Sequence, residues 1–243
     1  MTANDLEGSA PRWLWLVPVA TVMLHGAGNL LWFWLCDGGV VGGVDVFEHL
    51  NHSITLASRA CRDALSWTDL LYDPVVPTWP TTAYLPGWLL LPLTGSSHAA
   101  LVWTSGMLYL ALCVFATYLL GRDMVDPPTG AMAAALVALV PGIYGLSRKY
   151  GLDLPLTGVL TLCVWRVHLL GERSPARDYL VAGLLGGLCL LVKLQALFFL
   201  IVPFAVKLAG SLRRQPAVSR WGLALAALAL RPDGMQIRLF APW

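Results

Sequence analysis

The sequence predicts an all-α protein, a polytopic bundle of transmembrane helices whose long extracytoplasmic first loop carries an interfacial helix. The residues are 57% hydrophobic and the mean hydropathy is +0.67. Only 12% are charged, against roughly 25% in a soluble domain. Apolar runs of spanning length alternate with short polar connections. The composition therefore indicates an integral, multi-pass membrane protein, and a net charge of +2 is too small to indicate nucleic-acid binding.

The first apolar run, residues 13–35, is long enough to cross about 30 Å of hydrocarbon. It is too long for the apolar core of a signal peptide, and no small-residue cleavage site follows it. Tryptophans flank both ends of the run, as in interfacial aromatic belts: Trp13, Trp15, Trp32 and Trp34. We therefore expect an uncleaved first span, in which His25 faces the bundle.

Residues 36–83 form the longest polar connection, and a loop of this length is usually functional. Within it, apolar residues recur every three to four positions: Phe47, Leu50, Ile54, Ala57 and Ala60. This period predicts an amphipathic helix that lies in the membrane interface.

The same helix carries a stripe of acidic and imidazole groups. Asp45, Glu48, His49 and His52 stand at positions i, i+3, i+4 and i+7, so they share one face. Acid–base groups are thus presented together close to the membrane surface. We interpret this segment as part of an active-site loop.

Further apolar runs predict the rest of the bundle. Residues 83–93 are too short to span and indicate a re-entrant or interface-penetrating helix; residues 99–120, 130–146 and 154–170 each predict a span. The run 179–208 is interrupted by Lys193 and Gln195. Because a charge at mid-membrane is costly, we expect two half-length helices that meet there and place Lys193 in a polar cavity.

Basic residues give the orientation. Six arginines fall on one side if the broken pair returns to its starting face: Arg12, Arg122, Arg173, Arg177, Arg213 and Arg214. The positive-inside rule makes that side cytoplasmic. The acidic loop and residues 148–153 then lie on the extracytoplasmic face, and we expect a bacterial plasma (inner) membrane.

Several segments together resemble a known family. They are Gly121-Arg122, Ala133-Ala134-Ala135-Leu136, Val140-Pro141, Ser147-Arg148, Leu152-Asp153-Leu154-Pro155-Leu156 and the glycine-rich stretch from Gly183 to Lys193. In order and spacing they are similar to the GT-C membrane glycosyltransferases of the dolichyl-phosphate-mannose protein mannosyltransferase and aminoarabinose transferase-like superfamily. The resemblance covers roughly residues 13–206.

The resemblance implies cell-envelope glycosylation: transfer of a hexose or pentose from a polyprenyl-phosphate donor to a lipid, glycan or protein acceptor on the extracytoplasmic side. In the family, an Asp in the first large loop is the general base, and Asp45 is the matching position. The family often has adjacent acidic residues there, whereas Val46 and Phe47 separate Asp45 from Glu48.

The chemistry assigns further roles. With Asp45 as base, Glu48 and His49 complete the predicted catalytic group. The leaving polyprenyl phosphate gathers negative charge, which Arg148, Lys149 and Lys193 could stabilise while Asp153 orients a cation or the acceptor. No cofactor is required by this scheme. A divalent metal held by the carboxylate and imidazole stripe remains an alternative.

We expect one transmembrane domain, residues 1–230, followed by a short polar tail, 231–243, that fits no helix. Family members usually run longer, so we expect a member that is truncated or frame-shifted at its C-terminus. Two other functions remain open. Mid-membrane charges could line the path of a transporter or channel, or the chain could be an inactive member of the same fold.

Overall fold

The computed structural model describes residues 11–35, 49, 51–55, 58–59, 82, 84, 86–87, 89–90, 103–171 and 174–212. Helices and turns account for the described residues, without a β-strand among them, which confirms the predicted all-α class. Asp45, Glu48, the stretch 221–230 and the tail 231–243 lie outside these ranges. The predicted loop and tail are therefore not described beyond the positions named.

The first apolar run is helical throughout, as predicted. A 3₁₀ turn, Arg12–Trp15, leads into helix α1, Leu16–Leu35. Trp13, Trp15 and Trp32 are exposed near its two ends, where indole rings suit a membrane interface.

Helix α2 ends four residues later than predicted. It opens as a π-helix, Thr104–Tyr109, and continues as an α-helix, Leu110–Met124. The prediction that it ends at Leu120 was wrong, because Arg122 donates from Nε and Nη2 to both carboxylate oxygens of Asp123 within the last turn. The segments Trp13–Phe33 and Thr104–Met124 are long and apolar enough to cross a membrane.

The predicted third span is divided in two. Helix α3 is Pro127–Leu139 and the short helix α4 is Pro141–Leu146. The prediction of a single helix over 130–146 was wrong. Pro141 lacks an N–H donor, and it forces Val140 into an extended conformation. At the start of α3, hydrogen bonds from Thr129 hold the pKa of the capping Asp126 below its usual range.

The last three helices follow the predicted order. Helix α5, Asp153–Leu169, is the predicted fourth span. Helices α6, Ala176–Val192, and α7, Ala196–Leu212, are separated at Lys193, so the predicted break is confirmed. Each helix has 17 residues and rises about 25 Å.

Glycines allow the helices to approach closely, as small residues do between membrane helices. Helix α5 packs on α2 and α6, and α2 packs on α3. A Cβ built on Gly158 would lie 2.8 Å from Leu112, so α5 needs glycine against α2. Gly121 and Gly130 face each other in the same way across α2 and α3.

The helix directions give the bundle two ends. The site end is the end at which the C-terminal part of α1, the connection 147–152 and the α6–α7 break meet; it is marked by Asn29, Ser147 and Lys193. The opposite end is marked by two hydrogen bonds. The Trp165 indole donates to the Asp123 carboxylate, and Lys207 donates to the carbonyl oxygen of His168.

Gly130→Ala is expected to destabilise the bundle. Its Cβ would lie 2.6 Å from the backbone nitrogen of Arg122 and 2.6 Å from the carbonyl oxygen of Tyr118, and backbone atoms cannot move aside as a side chain can. Such overpacking costs about 1–3 kcal/mol. Thermal unfolding in detergent should show a lower Tm for this variant.

The matched control is Gly142→Ala, because a Cβ there meets nothing within 4 Å. Its Tm should equal that of the natural chain or exceed it slightly. Equal Tm values for all three proteins would contradict the close α2–α3 packing.

Candidate active site

Arg148 is held at the site end by two aromatic rings and an amide. Its guanidinium carbon lies 4.3 Å from the ring centre of Trp32 and 3.7 Å from that of Tyr144. Its Nε donates a hydrogen bond of 3.2 Å to Oδ1 of Asn29. These three uncharged groups fix the position of the cation. Each ring contact contributes about 0.5–2 kcal/mol.

Asn29 and Ser147 tie this arginine to helix α1. The Asn29 amide donates to Oγ of Ser147 at 3.0 Å, and the Ser147 hydroxyl donates to the carbonyl oxygen of Tyr144 at 2.9 Å. Nε2 of His25 lies 3.3 Å from the same Oγ. His25 thus faces the bundle, as its sequence position predicted. Both ends of the Asn29 amide are used, which fixes its orientation.

Lys193 and Asp153 form an ion pair at the α6–α7 break. Nζ of Lys193 lies 2.6 Å from Oδ1 of Asp153. Asp153 is the first residue of α5, and no side-chain hydrogen bond caps this helix. The Lys193 side chain is 23% exposed and the Asp153 side chain 55% exposed. The pair therefore lies at the edge of the bundle, where a bound molecule could reach both charges.

A second group of polar side chains joins residues 49–55 to the connection before α5. Nδ1 of His49 lies 2.6 Å from the hydroxyl of Tyr84, and Oγ of Ser53 lies 2.8 Å from the hydroxyl of Tyr150. All four residues are buried. Burial raises the pKa of the Tyr150 hydroxyl, so this group stays protonated at neutral pH. His52 stacks on Tyr84 with ring centres 5.7 Å apart.

The structure brings several of the predicted site residues to one end of the bundle. Arg148, Asp153 and Lys193 have the contacts given above, and Lys149 is exposed on the same connection. His49 approaches that connection through Gly151, whose built Cβ would lie 4.0 Å from the imidazole. The predicted roles of these residues stay predictions, as do those of Asp45 and Glu48, which lie outside the described residues.

Within the described part of the chain, no three His, Cys, Asp or Glu side chains lie close enough to hold a metal ion. Of the stripe considered as a metal alternative, His49 and His52 are described. Both imidazoles contact Tyr84.

Sequence reasoning missed the uncharged members of this site. Asn29, Ser53 and Ser147 are polar residues buried at 3%, 2% and 1% exposure. Asn29 gave a usable signal, because an amide within a spanning run must find a partner. Tyr84 and Tyr150 gave none, since tyrosine is common at membrane interfaces.

These features define a class: a helical membrane protein that gathers cations, a carboxylate and buried polar groups at one end of its bundle. Residues 76–232, more than half of the chain, match the family model described as dolichyl-phosphate-mannose-protein mannosyltransferase. The chain belongs to this family. Its members are integral membrane glycosyltransferases that use polyprenyl-phosphate sugar donors and transfer to glycan or protein acceptors.

The predicted family resemblance is therefore confirmed. The matched range includes Tyr84, the connection 147–152 and the Lys193 break. A search of curated proteins found no significant match.

Asn29→Ala is expected to lower the stability of the site end. The change removes the partner of the Arg148 Nε and one partner of the Ser147 hydroxyl, in a position that is 3% exposed. Lost buried hydrogen bonds of this kind cost about 1–3 kcal/mol. Thermal unfolding in detergent should show a Tm lower by about 2–4 °C for each kcal/mol.

Asn51→Ala is the control, because Asn51 is an exposed asparagine on the helical turn 51–55. Its Tm should stay within about 2 °C of the natural value, since exposed substitutions rarely exceed ~0.5 kcal/mol. A loss of Tm as large as that of Asn29→Ala would contradict the described network.

Proposed function

We propose that this protein transfers a sugar from a polyprenyl-phosphate donor to an acceptor on the extracytoplasmic face of a bacterial plasma membrane. One observation carries the proposal: the family's donor needs cations for its phosphate, and Arg148 lies at the same end of the bundle as the Lys193–Asp153 pair. The sugar is a hexose or pentose. Glycan, lipid and protein hydroxyls are the acceptor classes.

Asp45 is the proposed general base. It removes the proton from the acceptor hydroxyl as the oxygen attacks the anomeric carbon, and the bond from that carbon to the phosphate oxygen breaks. The polyprenyl phosphate leaves with the bonding electrons. A base needs to lie about 2.6–3.2 Å from the hydroxyl it deprotonates. Glu48 is proposed to assist from the next turn of the same predicted helix.

The cations act on the leaving group. Arg148 offers planar N–H donors, which suit phosphate oxygens, and its stacked position costs little rearrangement during the reaction. Lys149 adds a second charge on the same connection. Such groups stabilise the negative charge of the leaving phosphate where it develops.

Asp153 is proposed to orient Lys193. At 2.6 Å the carboxylate holds the ammonium beside the α6–α7 break, and both groups are partly exposed. The lysine can therefore turn toward a bound phosphate without leaving a buried carboxylate unpaired. This arrangement supports a role in binding the donor.

The opposite end supports the proposed orientation by the same positive-inside argument that was applied to the sequence. Arg122, Arg177 and Lys207 lie there with the termini of α2, α6 and α7. The positive-inside rule favours a cytoplasmic location for that end. The site end, by this argument, faces the extracytoplasmic side.

The proposal is tested by donor turnover. Protein in lipid vesicles would receive polyprenyl-phosphate sugars with an acceptor extract, and released polyprenyl phosphate would be measured. Asp45→Asn should lower kcat by about 100-fold to 10,000-fold, the usual contribution of a general base. Binding of polyprenyl phosphate should be unchanged.

The control is Asp126→Asn, since this exposed residue caps α3 at the other end of the spans and asparagine caps equally well. Its turnover should match the natural rate. Equal turnover by Asp45→Asn and the natural chain would exclude Asp45 as the base. Absence of turnover by the natural chain with every donor would contradict the proposed function.

A further inference from the structure

The buried hydrogen bonds among His49, Ser53, Tyr84 and Tyr150, here called the tyrosine network, join three separate parts of the chain. Ser53 and Tyr150 are 97 residues apart in sequence, and His49 and Tyr84 are 35 apart. The exposed fraction is 7% for His49, 2% for Ser53 and 3% for each of the two tyrosines. The contacts are therefore products of the folded bundle.

The direction of the hydrogen bonds can be assigned in part. Oγ of Ser53 donates to the carbonyl oxygen of His49, four residues earlier. Either hydroxyl can donate in the hydrogen bond between Ser53 and Tyr150. Burial raises the pKa of Tyr150, so its hydroxyl stays protonated.

Packing around the rings allows little freedom. The rings of Tyr84 and Tyr150 lie 6.2 Å apart, and both imidazoles of the helical turn contact Tyr84. A Cβ on Gly87 would collide with the hydroxyl of Tyr150. A satisfied and closely packed polar network of this kind specifies one arrangement of the segments it joins.

Two of the three joined segments carry the proposed chemistry. Tyr150 stands two residues after Arg148 and three before Asp153, and His49 stands four residues after Asp45. We propose that Tyr84 and Tyr150 are positioning residues: they hold His49 and Ser53, which follow the proposed base in sequence, in a fixed register against the cations of the donor site. The inference rests on the proposed function and deepens it.

His49 has a different role in this account from the one predicted from its spacing. Its Nδ1 is engaged with Tyr84, and the residue is 7% exposed, so it acts through the tyrosine rather than on substrate. Ser53 acts likewise through Tyr150. In this proposal Asp45 and Arg148, which are close in sequence to His49 and Tyr150, act on the reacting atoms, and the tyrosine network does not contact them.

The test uses Tyr150→Phe, Tyr84→Phe and Ser53→Ala in the full chain in lipid. Each removes one hydroxyl and keeps most of the packing. A displaced base lowers kcat by about 10-fold to 100-fold, the usual effect of misplacing a reacting group by about 1 Å. KM for the donor and the number of polyprenyl-phosphate binding sites per protein should stay unchanged.

The double variant Ser53→Ala/Tyr150→Phe adds a readout that general loss of stability would not produce. Both single changes remove the same hydrogen bond, so the double variant should have the kcat of either single variant rather than the product of the two effects. Tyr179→Phe is the matched control, because its hydroxyl donates to the carbonyl oxygen of Gly171 at the opposite end. Its kcat should equal the natural value.

A fall in binding-site number that accounts for the fall in kcat would overturn the positioning role, as would an unchanged kcat in all three single variants. Hydrogen exchange gives a second measurement that needs no activity. Amides of residues 51–55 should exchange faster in Tyr150→Phe than in Tyr179→Phe. Equal exchange would overturn the inference even for an active protein. Faster exchange in a chain without turnover would support the network and contradict the proposed function alone.

Discussion

A charge or amide placed among membrane helices must find a partner, because the hydrocarbon offers no water to solvate it. This constraint explains where the polar residues of the bundle lie. Lys193 interrupts the apolar run and is paired with Asp153 at 2.6 Å, and the chain breaks between α6 and α7 at that residue. Arg148 is stacked between Trp32 and Tyr144 for the same reason. The groups that satisfy this constraint at the site end are also the groups that a lipid phosphate would need.

Helix boundaries could be predicted from the sequence where a local property of the chain determined them. The α6–α7 break followed from the cost of burying Lys193, and the first span followed from its length and tryptophans. Pro141 indicates the break before α4, but the prediction of a span followed the continuous apolar run instead. The end of α2 had no local signal: Asp123 accepts hydrogen bonds from Arg122 and from Trp165, and the second contact exists only because α2 and α5 are neighbours.

The site divides in the same way. Arg148, Asp153 and Lys193 were predicted because charges are rare in this sequence and each one needs an explanation. Ser53 and Tyr150 were not, because the role of an uncharged polar residue becomes evident only when its distant partner is known. Asn29 indicated the need for a partner but did not identify it. Asn29 and Ser147 are 118 residues apart, and no spacing rule connects them. Uncharged groups thus position the charged ones, and only the folded bundle displays that relation.

The proposed donor site is tested most directly by where the lipid phosphate binds. A structure of the protein with a polyprenyl phosphate, determined by electron cryo-microscopy in a lipid nanodisc, measures this directly. We expect the phosphate to lie within hydrogen-bonding distance, about 3 Å, of the Arg148 guanidinium or the Lys193 ammonium. A phosphate bound instead at the opposite end, beside Arg122 or Lys207, would contradict both the donor site and the proposed orientation.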